Sequence, residues 1–179
     1  MADTAAAGRE LLLLRHGIAD ERDPLAPPAA DAARALTIAG RRRTRAVVER
    51  LAALGLRADR LLASPLRRAQ DTAELAIDAG LADGLELCTA LAPGGDVLPL
   101  LETLCLGAAG GAGWGRLLLV GHEPDLTELA ARLLGAPAAA LQLKNAGLIQ
   151  LTLPPSPPLV GRASLVALLT PRLVLQEQR

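Results

Sequence analysis

A chain of 179 residues that is 51% hydrophobic and 21% charged has the length and apolar content for one globular domain with a substantial core, which excludes a disordered chain. Formal net charge is zero, Tyr and Phe are absent and Trp114 is the single Trp. Neither a basic field nor a base-stacking platform recruits nucleic acid, and nothing draws the chain to an anionic membrane.

Residues 1–9 read as a loose tail. Residues 1–8 lack the basic-then-apolar order of a signal peptide. Leu11, Leu12, Leu13 and Leu14 form a short apolar run that fits a strand buried on both faces, as in a parallel sheet. Arg15, His16 and Gly17 end it. Ligands of open α/β sheets bind beyond the carboxyl ends of strands, so a guanidinium and an imidazole fall where a ligand sits. Gly17 permits a sharp turn or close approach to that ligand. Residues 18–33, with Pro24, Pro27 and Pro28, read as a loop over the strand end. Thr37 is placed to cap a helix with Val47, Val48, Leu51 and Leu54 on its apolar face and Gly55 at its stop. Arg41, Arg42, Arg43 and Arg45 on that helix read as a solvated face.

Leu61, Leu62 and Ala63 make a second strand, and Ser64-Pro65 has the order of an N-cap and first helical position, opening a helix to about Ala79. Arg67 and Arg68 fall in its first turn. Cations are disfavoured at that end of a helix unless an anion binds there too. Leu85 to Cys88 reads as a short extended segment, and Asp96 caps a helix to about Leu106. The glycine-rich stretch 107–115 has no Gly-x-Gly-x-x-Gly and reads as a flexible loop. Leu117 to Val120 repeats the apolar run, and Gly121-His122 follows it. Asp125-x-x-Glu128 has the spacing of a capping box for a helix to Leu134. Residues 148–153 and 164–169 read as two paired strands. The alternation predicts an α/β fold with a mainly parallel central sheet and helices on both faces. No apolar run approaches the roughly 18 to 20 residues of a membrane span. Cys88 and Cys105 show no metal or redox spacing, which fits a cytoplasmic protein.

Both histidines of the chain directly follow apolar runs. With Arg15 and Arg68 they make a candidate anion site in which phosphate suits the arginines and a histidine can attack phosphorus. No carboxylate or thiolate set accompanies them, so no metal or other cofactor is expected. Gly-x-Ser-x-Gly is absent, which removes the serine-hydrolase alternative.

Leu-Leu-Arg15-His16-Gly17, then Ser64-Pro65-Leu66-Arg67-Arg68-Ala69-Gln70-Asp71-Thr72, then Val120-Gly121-His122 resembles the histidine phosphatase superfamily, also called phosphoglycerate mutase-like. The resemblance implies one domain of that three-layer fold over residues 1–179. It implies His16 as nucleophile and Arg15, Arg68 and His122 around the phosphoryl group. Arg34-Ala-Leu-Thr37, Leu91-Ala-Pro93-Gly-Gly-Asp96 and Gly121-His122-Glu-Pro124 are similar to SixA-type phosphohistidine phosphatases. That similarity implies a phosphorylated histidine phosphotransfer domain as partner and Arg34 as a phosphate-side residue. Gly17 and Ser64, at the two strand ends, join Arg34 as candidate substrate-binding residues. The insertions of the mutases have no counterpart, which argues against mutase activity. Small phosphate esters are the alternative substrates, and an idle phosphate-binding module is a third reading. Glu123 is the candidate general acid, against the plainer reading of a loop residue favoured by a helix N-terminus. Oligomeric state has no signal in the sequence.

Overall fold

Leu11, Leu12, Leu13 and Leu14 are each at most 1% exposed, which the sheet around them explains. The computed structural model describes residues 8–25, 27–107 and 114–176. Its strands are β1 (Glu10–Arg15), β2 (Arg60–Ala63), β3 (Glu86–Leu87), β4 (Arg116–Gly121), β5 (Leu148–Thr152) and β6 (Ser164–Leu169). They form a six-stranded sheet in the order β3-β2-β4-β1-β5-β6. The first four run parallel, and β5 is antiparallel to both β1 and β6. Successive strand residues face opposite sides, so each face takes alternate leucines. Leu11, Leu13, Leu117 and Leu119 enter one core with helices α4 (Leu98–Leu106) and α5 (Asp125–Leu134). Leu12, Leu14, Leu118 and Val120 enter the other, against α2 (Ile38–Ala53) and α3 (Arg67–Asp78). This is the α/β architecture that the alternating pattern predicts, with helices on both faces.

Thr37 caps α2, its hydroxyl accepting from the Gly40 N–H at 2.8 Å. Other boundaries differ from expectation. The Ser64-Pro65 pair does not open α3. Its N-cap is Leu66, and the Ser64 hydroxyl is engaged elsewhere. The Asp125/Glu128 capping box does not form, because Asp125 is the first residue of α5 and accepts from the Gly94 N–H at 3.0 Å. Asp96 does receive the Leu98 N–H, at 3.1 Å, although Val97 holds the cap position. Within residues 18–33, read as loop, lies a short helix, α1 (Pro28–Ala33). A terminal helix, α6 (Pro171–Val174), has no counterpart in the sequence reading. Residues 108–113 of the glycine-rich stretch and residues 1–7 of the tail lie outside the described residues.

Asp71 ties the two helices on one face together. Its side chain is 1% exposed, accepts from the Leu36 N–H at 3.0 Å and pairs with Arg41 at 3.0 Å and Arg67 at 2.8 Å. Arg67 is half exposed and can exchange its partner for water. Asp71→Ala is therefore expected to cost about 1 to 3 kcal/mol in urea unfolding, chiefly from the Leu36 amide left without its acceptor. Arg67→Ala is expected to cost less than about 1 kcal/mol. Equal losses would contradict this assignment.

Candidate active site

Strand register brings the two histidines together. Arg15 of β1 stands opposite Gly121 of β4, so the next residue of each strand emerges at the same edge. The His16 and His122 ring centroids are 5.1 Å apart. The His16 N–H donates to the Gly121 carbonyl at 3.1 Å, extending the ladder one step into the site. A cavity of about 390 Å³ opens there, and Arg15, His16, Arg34, Arg68, His122 and Glu123 all line it. These six, among the residues singled out from sequence, are brought together.

The His16 ring is fixed by its own turn. Its Nδ1 lies 2.6 Å from the Gly17 carbonyl, an acceptor, so Nδ1 carries the proton and Nε2 is left with its lone pair. Burial, with the charges of Arg68, Arg15 and Arg34 adding to it, lowers the His16 pKa to about 4. The imidazole is neutral at pH 7. His122 is 3% exposed, and burial, then His16 and Arg68, lowers its pKa to about 3. His122 Nε2 is 2.7 Å from the Ser64 hydroxyl. That oxygen also accepts from the Leu66 N–H at 3.3 Å, so Ser64 joins the His122 ring to the backbone before α3. His122 Nδ1 is a buried atom without a protein partner among the described residues.

Gly17 and Ser64 stand behind the cavity wall rather than on it. The Gly17 N–H donates to the Thr72 hydroxyl at 3.0 Å, and a Cβ at Gly17 would lie 2.1 Å from Thr44 Oγ1. Glycine is needed there for packing against Thr44 of α2. Ser64 is fully buried and orients His122. Neither is among the residues that line the cavity.

Arg15 donates to the Leu143 carbonyl at 2.8 Å, which holds its guanidinium at the floor. Arg68 is 4% exposed, and its Nη1 donates to the Asp31 carbonyl at 2.9 Å. Burial lowers the pKa of both guanidiniums, yet arginine stays charged at any ordinary pH. Glu123 also faces the cavity. Alternation along an extended strand would have turned it away from His122, but β4 ends at Gly121 and alternation stops there. Desolvation raises the Glu123 pKa, against the Thr127 hydrogen bond and the Arg15 charge. Thr127 donates to Oε2 at 2.9 Å, and Oε1 has no partner among the described residues.

Three polar cavity residues escaped the sequence reading: Arg22, Asp31 and Asn145. Asn145 donates to the carbonyls of His16 at 3.2 Å and Gly17 at 3.4 Å, securing the turn that fixes the imidazole. Its local sequence carries no signal of that. Asp31 gathers arginines from three segments, contacts visible only in three dimensions. Among the described residues, no group of three or more His, Cys, Asp or Glu side chains could hold a metal ion. The donors present are guanidinium and imidazole N–H groups, which suit an oxyanion.

Comparison with known proteins agrees with this geometry. Residues 11–87 match the model of the histidine phosphatase superfamily, branch 1. An uncharacterized protein of Picosynechococcus sp. is 42% identical over 143 residues, 79% of this chain and 84% of that protein. The structure of the protein histidine phosphatase SixA complexed with tungstate superposes with a TM-score of 0.73 at 25% identity, covering 90% of this chain and 97% of that one. The mycobacterial glucosyl-3-phosphoglycerate phosphatase superposes with a TM-score of 0.66 at 22% identity, over 89% and 98% of the two chains. The fold is that of the histidine phosphatases. The chain belongs to the histidine phosphatase superfamily.

The neutral state of His16 can be read directly. A histidine with a depressed pKa takes up its proton only as pH falls through the folded value. The His16 ring protons in an NMR titration are expected to stay constant from pH 8 to 5 and to move with a midpoint near 4. A midpoint near the free value of about 6.5 would contradict the buried, arginine-flanked environment.

Proposed function

We propose that this protein is a phosphatase that hydrolyses phosphohistidine on a signalling phosphotransfer protein through a covalent intermediate on His16. The observation that carries the reading is the fixed, neutral imidazole of His16, with Nδ1 bound to the Gly17 carbonyl and a low pKa, beside Arg15 and Arg68. A nucleophile must be unprotonated to attack, and this one already is.

In the proposed reaction, His16 Nε2 attacks phosphorus and the bond to the leaving imidazole breaks. Arg15, Arg34 and Arg68, with the His122 imidazole beside them, receive the charge that grows on the equatorial oxygens. Preplaced cations do this without reorganising. Water then attacks the phosphorus on His16, releasing phosphate and returning the lone pair to Nε2. The leaving imidazole can depart neutral, because its ring accepts a proton beforehand near its ordinary pKa of roughly 6.5. No strong acid in the protein is required for it.

SixA, named as a protein histidine phosphatase, supports this substrate class, while other structural relatives are named for phosphate esters. Glu123 gives the second reading a specific footing. A carboxyl in the cavity with a raised pKa is what protonation of an alkoxide leaving group needs. The two readings separate on one substitution. Glu123→Gln is expected to leave phosphohistidine hydrolysis within about threefold of the parent protein. A large loss confined to alkyl phosphates, in a protein that prefers them, would move the activity to small esters. Arg68→Ala is expected to lower kcat/KM by roughly a hundredfold or more on any substrate, or about 3 kcal/mol, the scale of one removed transition-state donor. Arg67→Ala should change it little, since Arg67 pairs with Asp71. Equal effects of the two would show the clamp to be misassigned.

A further inference from the structure

Asp31 sits on α1 and presents its carboxylate to arginines from separate parts of the chain. Oδ1 accepts from Arg34 Nε at 2.9 Å and lies 2.8 Å from Arg34 Nη2. Oδ2 lies 3.4 Å from Arg68 Nη2, while the Asp31 carbonyl takes Arg68 Nη1 at 2.9 Å. Arg22 Nε approaches Oδ1 at 3.6 Å. An oxyanion with its oxygens shared among several guanidiniums is the arrangement a phosphoryl group would adopt in this cavity. We infer that Asp31 is an internal competitor for the phosphate clamp: its carboxylate engages Arg34 and Arg68 in place of an incoming oxyanion and weakens the hold of the cavity on free phosphate. This rests on the reading of the cavity as a phosphoryl site.

Two features make the competition reversible. None of the α1 residues is buried, so little apolar contact opposes withdrawal of the helix from the arginines. The Asp31 side chain is itself 22% exposed and is rehydrated readily on release. Burial works against its ionisation, but Arg34, Arg68 and Arg22 outweigh it and hold the carboxyl below the usual range. A full negative charge is therefore present at neutral pH. The consequence falls hardest on the product. A phosphorylated substrate has its leaving group to contact the protein, whereas inorganic phosphate has only the clamp. Binding energy that grips substrate and transition state alike does not raise kcat. Asp31 thus sets the selectivity of the site against its own product.

The test is calorimetric titration of tungstate and of inorganic phosphate into the full chain and its Asp31→Asn and Asp31→Ala variants. Asp31→Asn keeps an amide oxygen for Arg34 and the main-chain carbonyl for Arg68, so the arginines retain neutral partners. The expected result is a Kd about tenfold lower for both anions in both variants, the scale of removing one nearby like charge. A merely supporting role for Asp31 cannot tighten anion binding. Unchanged or weaker binding in both variants would overturn the inference while leaving the phosphoryl site standing. If the parent protein binds neither anion and hydrolyses no phosphorylated compound, the phosphoryl site itself falls, and the inference with it.

Discussion

The structure depends on holding positive charge at a largely buried sheet edge. Arg15 and Arg68 are driven to the ends of β1 and α3, and two imidazoles share the same space. Each group is tolerated by a different device. The histidines are neutral, because burial beside arginines makes a proton costly. The guanidiniums cannot lose theirs, so backbone carbonyls of Leu143 and Asp31 and the Asp31 carboxylate take up part of their donors, while Nε of Arg15 and of Arg68 has no partner among the described residues. The same excess of guanidinium donors makes an oxyanion welcome in the cavity.

The fold serves this edge at several removes. The Thr72 hydroxyl accepts from the Gly17 N–H and donates to the Arg68 carbonyl at 2.8 Å, so one side chain of α3 spaces the nucleophile's turn from the clamp. Asn145, just before β5, braces the same turn from the opposite side. Asp71 joins α2 and α3 and receives the N–H of Leu36, two residues beyond Arg34. Displacement of α2 against α3 would reach Arg34 through that bond.

What could be read from sequence follows from how local each signal is. The leucine runs identify β1 and β4 because a strand buried on both faces needs no periodicity, only continuous apolar character. Once both end in a histidine, a parallel sheet brings the histidines to one edge, and the register does so here. Arg68 was legible through its motif. Ser64 was misread because Ser-Pro normally opens a helix, and here tertiary contact with His122 claims the hydroxyl. The Asp125 side chain was likewise drawn from its capping role to the Gly94 N–H. Asp31 was beyond reach. It lies in a proline- and alanine-rich stretch, and its Arg68 contact spans 37 residues.

The central claim is that phosphorus passes through His16. Rapid acid-free quenching of the protein during turnover of a ³²P-labelled phosphorylated phosphotransfer domain, followed by peptide mapping, tests it most directly. Label that is acid-labile, alkali-stable and located on His16, and absent from His16→Ala, is the predicted result. Label on Ser64, on either cysteine or on no residue during active turnover would contradict it.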